Sequence, residues 1–162
     1  MGAVTVRAGG VDDATRLRSI RLEALSDTPE AFGSSYADEV TRDDAQWREV
    51  AGRWTFFLAE DHDEVVGMAS GGHRDDHPGT WWLFAMYVTP RLRGTGAAEQ
   101  LVASVEQWAR SEGAGELHLA VTDPVARARA FYAKLGYLPT GDVEVLHRDP
   151  AVRLINLVRR LD

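Results

Sequence analysis

The stretch MYVTPRLRGTGAAEQLVASVEQWA, residues Met86 to Ala109, passes from apolar residues through a basic, glycine-bearing turn into an amphipathic pattern. Ala98, Leu101, Val102, Val105, Trp108 and Ala109 recur at i, i+3, i+4, i+7 spacing, which predicts a helix over Gly94 to Glu112, ended by Gly113. The preceding WWLFAMYV, Trp81 to Val88, is wholly apolar and predicts a strand buried on both faces. A strand that enters a helix through Gly-x-Gly leaves the first helical N–H groups without partners and without side chains in the way. Those donors and the helix dipole favour an anion, above all a phosphate. Arg93 adds charge there, while Arg91 reads equally as a phosphate ligand or a solvated turn residue.

Outward from this junction, strands are predicted at VTVRA (Val4 to Ala8), TFFLAE, EVVGMASGG, ELHLAV, LPTGDVEVL and AVRLINLVRRL. DHDE joins the second and third as an acidic hairpin turn, and RDDHPG (Arg74 to Gly79) reads as a loop. Asp12 and Asp13 offer a cap to a first helix whose apolar face carries Leu17, Ile20 and Ala24. SDTPEAFGSSYADE reads as turn-rich, leading to a short helix around Asp43 to Val50. A last helix follows Asp123 as cap and Pro124 as first helical residue, with Ala128, Phe131, Tyr132 and Leu135 on its apolar face and Gly136 past its end. Three consecutive strands followed by alternation imply one α/β domain over residues 1–162, with a mixed central sheet of about seven strands and helices on both faces.

The composition excludes several classes. Eighteen Lys and Arg against 25 Asp and Glu give a net charge of −7, which argues against nucleic acid as a partner and tolerates a neutral or cationic small substrate better than an anionic one. With no cysteine there is no disulfide, zinc–thiolate site or cysteine acyl-enzyme. The N-terminal MGAVTVRAGG has no apolar signal segment, and no run approaches the length of a membrane span, so a cytoplasmic protein without a membrane partner is expected. His73 and His77 in HRDDH stand four apart, but the glycines and proline around them deny a helix, so a solvated loop is expected and no metal.

Two phosphate motifs do not fit the glycine turn. It lacks the Gly-Lys-Ser/Thr ending of a Walker loop, and Glu99 stands where a dinucleotide fingerprint needs a third small residue. Arg93-Gly94-Thr95-Gly96-Ala97-Ala98, after MYVTP and before a long helix, resembles motif A of the GNAT N-acetyltransferase superfamily, Gln/Arg-x-x-Gly-x-Gly/Ala. Downstream, Ala128, Tyr132, Gly136 and Tyr137 match that family's Ala-x-x-x-Tyr-x-x-x-Gly-Phe/Tyr signature, and RLEALSDTPEAFG is similar to its first-helix region.

The resemblance implies a GNAT-like fold, acetyl-CoA as cosubstrate, and transfer to the amine of a small molecule or peptide. A non-catalytic acyl-CoA-binding module is the alternative, and a homodimer is compatible with the family. It implies that amides from Gly94 through Thr95, Gly96 and Ala97 to Ala98 cradle the CoA diphosphate, with Arg93 beside them. Met86, Tyr87 and Val88 would pair with the pantetheine arm along a strand splayed from its neighbour, and Phe131 would pack at the cofactor. Tyr132 would be acid or hydrogen-bond donor to the departing sulfur, unless it is simply core. Val125 replaces a usual Asn, and WWLFAMYV lacks the acid many members use as base. The base is then Glu39, His73, His118, a water, or no residue at all if the amine arrives neutral; Glu39 reads equally as a solvated helix acid. Of Trp81 and Trp82, one is expected in the core and the other at a cleft or interface.

Overall fold

The glycine turn sits at the end of the fourth strand of a seven-stranded mixed sheet. The computed structural model describes residues 3–123 and 126–162, so the readings of Pro124 and Val125 lie outside the described residues. In chain order the strands are β1 Val4–Ala8, β2 Thr55–Asp61, β3 Glu64–Arg74, β4 His77–Val88, β5 Glu116–Thr122, β6 Leu138–Leu146 and β7 Asp149–Arg160. The helices are α1 Ala14–Asp27, α2 Tyr36–Glu39, α3 Asp44–Arg53, α4 Ala97–Ser111 and α5 Ala126–Lys134. The sheet order is β1-β2-β3-β4-β5-β7-β6, antiparallel throughout except for β4 and β5. Among the described residues, no helix is long and apolar enough to cross a membrane.

Two cores flank the sheet. Leu17, Ile20, Ala24 and Leu25 of α1 pack with Trp47 and Val50 of α3 onto Phe56, Leu58, Met68 and Tyr87. On the other face Leu101, Val102, Val105 and Ala109 of α4 meet Ala59, Val66, Ala69, Leu83 and Leu119. The i, i+3, i+4 stripe of α4 is what fills this second core.

Several boundaries differ from the sequence expectation. RDDHPG is not a loop: β3 and β4 run to Arg74 and His77, which pair across a turn at Asp75 and Asp76. Cross-strand contacts hold this polar extension, with Arg74 over the Trp82 ring at 4.5 Å and bonded to Asp76. The turn-rich segment contains the one-turn α2, capped where Ser35 Oγ accepts from the Asp38 N–H at 3.2 Å. Asp13 does not cap α1; its carboxylate accepts from the Gly10 N–H at 3.0 Å and from Arg7 at 2.7 and 3.1 Å. Gly94 and Gly96, at φ of 80° and 93°, stay outside α4, which begins at Ala97.

Candidate active site

The strand expected to be buried on both faces is not. Trp82, Leu83, Tyr87 and Val88 are buried, but Phe84, Ala85 and Met86 between them are only half-buried. A bulge causes this. Met68 faces Tyr87 and Ser70 faces Phe84, so two steps on β3 match three on β4, and Ala85 takes up the extra residue with φ at 56°. A non-glycine residue in this region is uncommon and marks local strain. The alternation slips by one there: Leu83 belongs to the α4 core, whereas Ala85 and Tyr87 face α1.

Beyond the bulge, β4 leaves its parallel neighbour. The two strands pair at Trp82↔His118 alone, so the β4 edge that runs on to Val88 has no ladder on its β5 side. A cavity of about 870 Å³ opens along this split. Phe84, Ala85 and Met86 line it from β4, Leu119 to Thr122 from β5, and Tyr132 from α5. Arg21, Phe32 and Trp54 close it on the α1 side.

Past Val88 the chain turns through Pro90–Leu92 into the glycine turn. The Arg93 and Thr95 N–H groups bond back to Pro90 and Leu92 at 3.2 and 3.4 Å. Those of Gly94, Gly96, Ala97, Ala98 and Glu99 have no partner among the described residues, and Gly96 supplies no side-chain cap. A Cβ on Gly94 would meet nothing within 4 Å, so the space before these amides is open. Open amides at a helix start, then an unpaired strand edge, then a cavity fit a diphosphate, a pantetheine arm and a thioester in turn. The turn lies beyond the cavity lining.

The two arginines of the turn point elsewhere. Arg91 pairs with Asp61 at 3.3 Å and Glu64 at 3.0 Å, fastening the turn to the β2–β3 hairpin. Arg93 Nη2 donates to Asp27 at 2.9 Å and Nε to the Val88 carbonyl at 3.2 Å, fastening it to α1. The Tyr87 hydroxyl donates to Glu23 at 2.9 Å, so the Tyr87 side chain anchors β4 on α1 and leaves only its backbone to face the split.

Tyr132 is buried, edge-on to Phe131 at 5.0 Å and to Tyr137 at 5.7 Å, and its hydroxyl has no partner among the described residues. Burial pushes its pKa well above the ordinary tyrosine value, so the hydroxyl keeps its proton and has a hydrogen to donate. Tyr137, five residues on, is tied off: it donates to the buried Glu106 at 2.7 Å, and Arg159 neutralises that carboxylate at 2.6 Å.

Glu39 does not have the setting of a base. It is 2% exposed, outside the cavity lining, and accepts from Arg21 Nε and Nη2 at 3.0 and 2.9 Å and from Arg42 at 3.1 Å. Burial raises its pKa, but the Arg21 bonds and charge, with Ser34 and Arg42, outweigh burial and hold it below the usual glutamate range. His118 bonds Glu116 at 3.1 Å and is also outside the lining. His73 does line the cavity, and its Nδ1 lies 2.8 Å from the Thr80 carbonyl oxygen.

His73 and His77 do not converge. His77 instead gathers with Asp76 and Glu144, but Arg74 already bonds both carboxylates at 2.6 to 3.0 Å. Of Trp81 and Trp82, it is Trp82 that lines the cavity, with Nε1 donating to Thr80 Oγ1 at 2.7 Å; Trp81 packs half-buried on the α4 core. Sequence reading missed Arg21 and Trp54 as cavity residues. The only signal for Arg21 was a charged residue amid the apolar face of α1.

A family model described as Acetyltransferase (GNAT) family matches residues 17–137. The acetyltransferase ECA0875 of Pectobacterium atrosepticum is 32% identical over 82 residues, 51% of this chain and 56% of that protein. N-acetyltransferase 8 of Homo sapiens is 34% identical over 89 residues, 53% of this chain and 39% of its own length. The chain thus spans about half the length, or less, of these curated relatives. Among solved structures, yncA of Salmonella typhimurium with its cofactor acetyl-CoA superposes with a TM-score of 0.78 at 21% identity, covering 99% of this chain and 95% of that one. The ribosomal-protein-alanine N-acetyltransferase of Brucella melitensis gives 0.77 at 23% identity, covering 97% and 99%.

Proposed function

This chain belongs to the GNAT family of acetyltransferases, and on that premise we propose that it moves an acetyl group from acetyl-CoA to a primary amine by direct transfer in a ternary complex. The observation that carries the reading is the split between β4 and β5, where a cavity lined by Tyr132 opens beside an unpaired strand edge that runs on to Val88, ahead of the open amides at α4. The residues present fit the cosubstrate. The amides of Gly94 to Ala98 would hold the diphosphate, the backbone of Met86 to Val88 the pantetheine arm, and Phe131 would flank it. When bound, acetyl-CoA supplies an activated acetyl group on a thiol leaving group.

The cavity presents the acceptor nitrogen to that carbon from the α1 side. Tyr132 donates its hydroxyl hydrogen bond to the sulfur as negative charge grows there. With no cysteine in the chain, an enzyme-bound thioester has no thiol to form on, which supports one direct step. Glu39 is assigned to its ion pair rather than to proton removal, so the amine reaches the cavity neutral and its second proton passes to water.

Free-thiol release from acetyl-CoA, measured with a panel of primary amines, tests this reading. Amine-dependent release is the expected result. CoA binding without release for any amine would favour the non-catalytic acyl-CoA-binding module.

A further inference from the structure

We infer that the acceptor is a small amino acid with an apolar side chain, held by its carboxylate on the outer edge of Arg21. This inference rests on the acetyl-transfer reading above. Glu39 takes the Arg21 Nε and Nη2 hydrogens at 3.0 and 2.9 Å, while Nη1 has no partner among the described residues. The Arg21 side chain is 9% exposed and lies over the Phe32 ring at 5.0 Å and the Trp54 ring at 5.8 Å. A guanidinium locked along one edge presents its other edge in a fixed direction, the geometry that suits a carboxylate.

Charge and place agree with this. Arg21 and Arg42 share the single carboxylate of Glu39, so the cluster carries a net positive charge, with Arg21 and Glu39 screened from water and Arg42 partly exposed. Arg53 lines the same wall, its own partner Glu49 at 3.7 Å being exposed. The other lining arginine, Arg74, is already balanced by Asp76 and Glu144. Ser70 also lines this part of the cavity and sits in register with Phe84, next to the bulge where β4 opens. Phe32, Trp54, Phe84 and Leu146 give an apolar side chain its surroundings. The zwitterion that predominates in solution has no net charge, so the chain's charge of −7 does not oppose its approach; the reacting form, with its amine neutral, carries one negative charge, which the net positive Arg21–Glu39–Arg42 cluster would receive. A protein N-terminus has an amide in place of this carboxylate.

In the transfer, the neutral nitrogen forms the C–N bond as the C–S bond breaks. The electron pair leaves on sulfur and one amine proton goes to water.

The test uses thiol release by the wild-type protein with phenylalanine, leucine and methionine, each beside its methyl ester and its decarboxylated amine. The ester's amine is less basic than the acid's and the decarboxylated amine is more basic, so basicity alone orders the three monotonically. Carboxylate recognition puts the acid on top, by on the order of 10²-fold in kcat/KM. An ester or decarboxylated amine that equals or exceeds its acid overturns the proposal. So does an absence of release with all nine compounds; if acetyl-CoA still raises the melting temperature, the cofactor reading survives that result, and otherwise both fall.

A double variant, Arg21→Gln with Glu39→Gln, removes the pair without leaving either buried charge alone. It should raise KM for the acids about 10-fold or more, leave KM for acetyl-CoA unchanged, and erase the acid's advantage over the decarboxylated amine. An advantage that persists in the folded double variant also overturns the proposal. Should that variant not fold, the nine-compound series on the wild type decides.

Discussion

Tyr132 and Tyr137 stand five residues apart, both buried, yet among the described residues only the Tyr137 hydroxyl has a partner. Tyr132→Phe keeps the ring that packs on Phe131 and Tyr137, so the melting temperature should hold. Only the hydroxyl is lost, and if it is the donor to the departing sulfur that we propose, kcat should fall about 10²-fold, with a smaller change in KM for acetyl-CoA. An unchanged kcat in the folded variant would make Tyr132 core alone. Because burial raises the Tyr132 pKa, this hydroxyl should contribute no fall in rate through the mildly alkaline range. The kcat/KM profile should instead rise with pH as the acceptor's own amine loses its proton; a pH–rate profile checks both. Asp13 gives a separate pH dependence, in stability. The hydrogen bond from Arg7 lowers its pKa from 3.8 to about 2, against the opposing effect of burial. A depressed carboxylate stabilises the fold above its unfolded pKa and loses that contribution as pH falls through the folded one. Asp13→Asn should therefore cost about 1 kcal/mol near neutrality, allowing for solvent around half-exposed Arg7, and nothing extra near pH 2. Equal cost at both pH values in denaturant melts would contradict the assignment.

At the scale of elements, the β3–β4 pair carries the candidate site, and Gly67 lets the two strands close. A Cβ there would lie 2.8 Å from the Tyr87 carbonyl oxygen and 3.1 Å from Leu101, and the backbone atom cannot move aside without disturbing the ladder. Gly67→Ala should destabilise the protein by about 1–3 kcal/mol in thermal or denaturant melts. Gly10→Ala, whose Cβ meets nothing within 4 Å, is the control and should stay near wild type. The seven strands and four of the helices were legible because their apolar periods are strong and their turns carry Gly, Pro or Asp. The bulge was not: Ala85 in WWLFAMYV looks like any small apolar residue, and its positive φ comes from pairing with β3. The hairpin extension at Arg74 and His77 was hidden for the opposite reason, since its residues are polar and owe their strand state to contacts across the turn. The glycine turn and Tyr132 could be read because their residue types are demanded locally. Arg21 and Glu39, eighteen positions apart, could be joined only by the fold.

At the scale of the molecule, an acidic chain is expected to bind an anionic cosubstrate, so the attraction must be local. On the proposed reading the glycine turn would supply it through amides and a helix start rather than through arginines, since Arg91 and Arg93 are spent on acids of the β2–β3 hairpin and of α1. Gly96 is where this can be challenged, because it holds φ at 93° and a Cβ there would meet only a Glu99 carboxylate oxygen, at 3.8 Å. A calorimetric titration of acetyl-CoA into the wild type and into Gly96→Val, with NAD as the comparison ligand, is the most direct measurement. The expected result is one acetyl-CoA per chain for the wild type, affinity weakened at least ~10-fold in a variant that still melts cooperatively, and little heat from NAD. Equal heats from NAD and acetyl-CoA, or unchanged acetyl-CoA affinity in folded Gly96→Val, would contradict a CoA diphosphate seated on the start of α4.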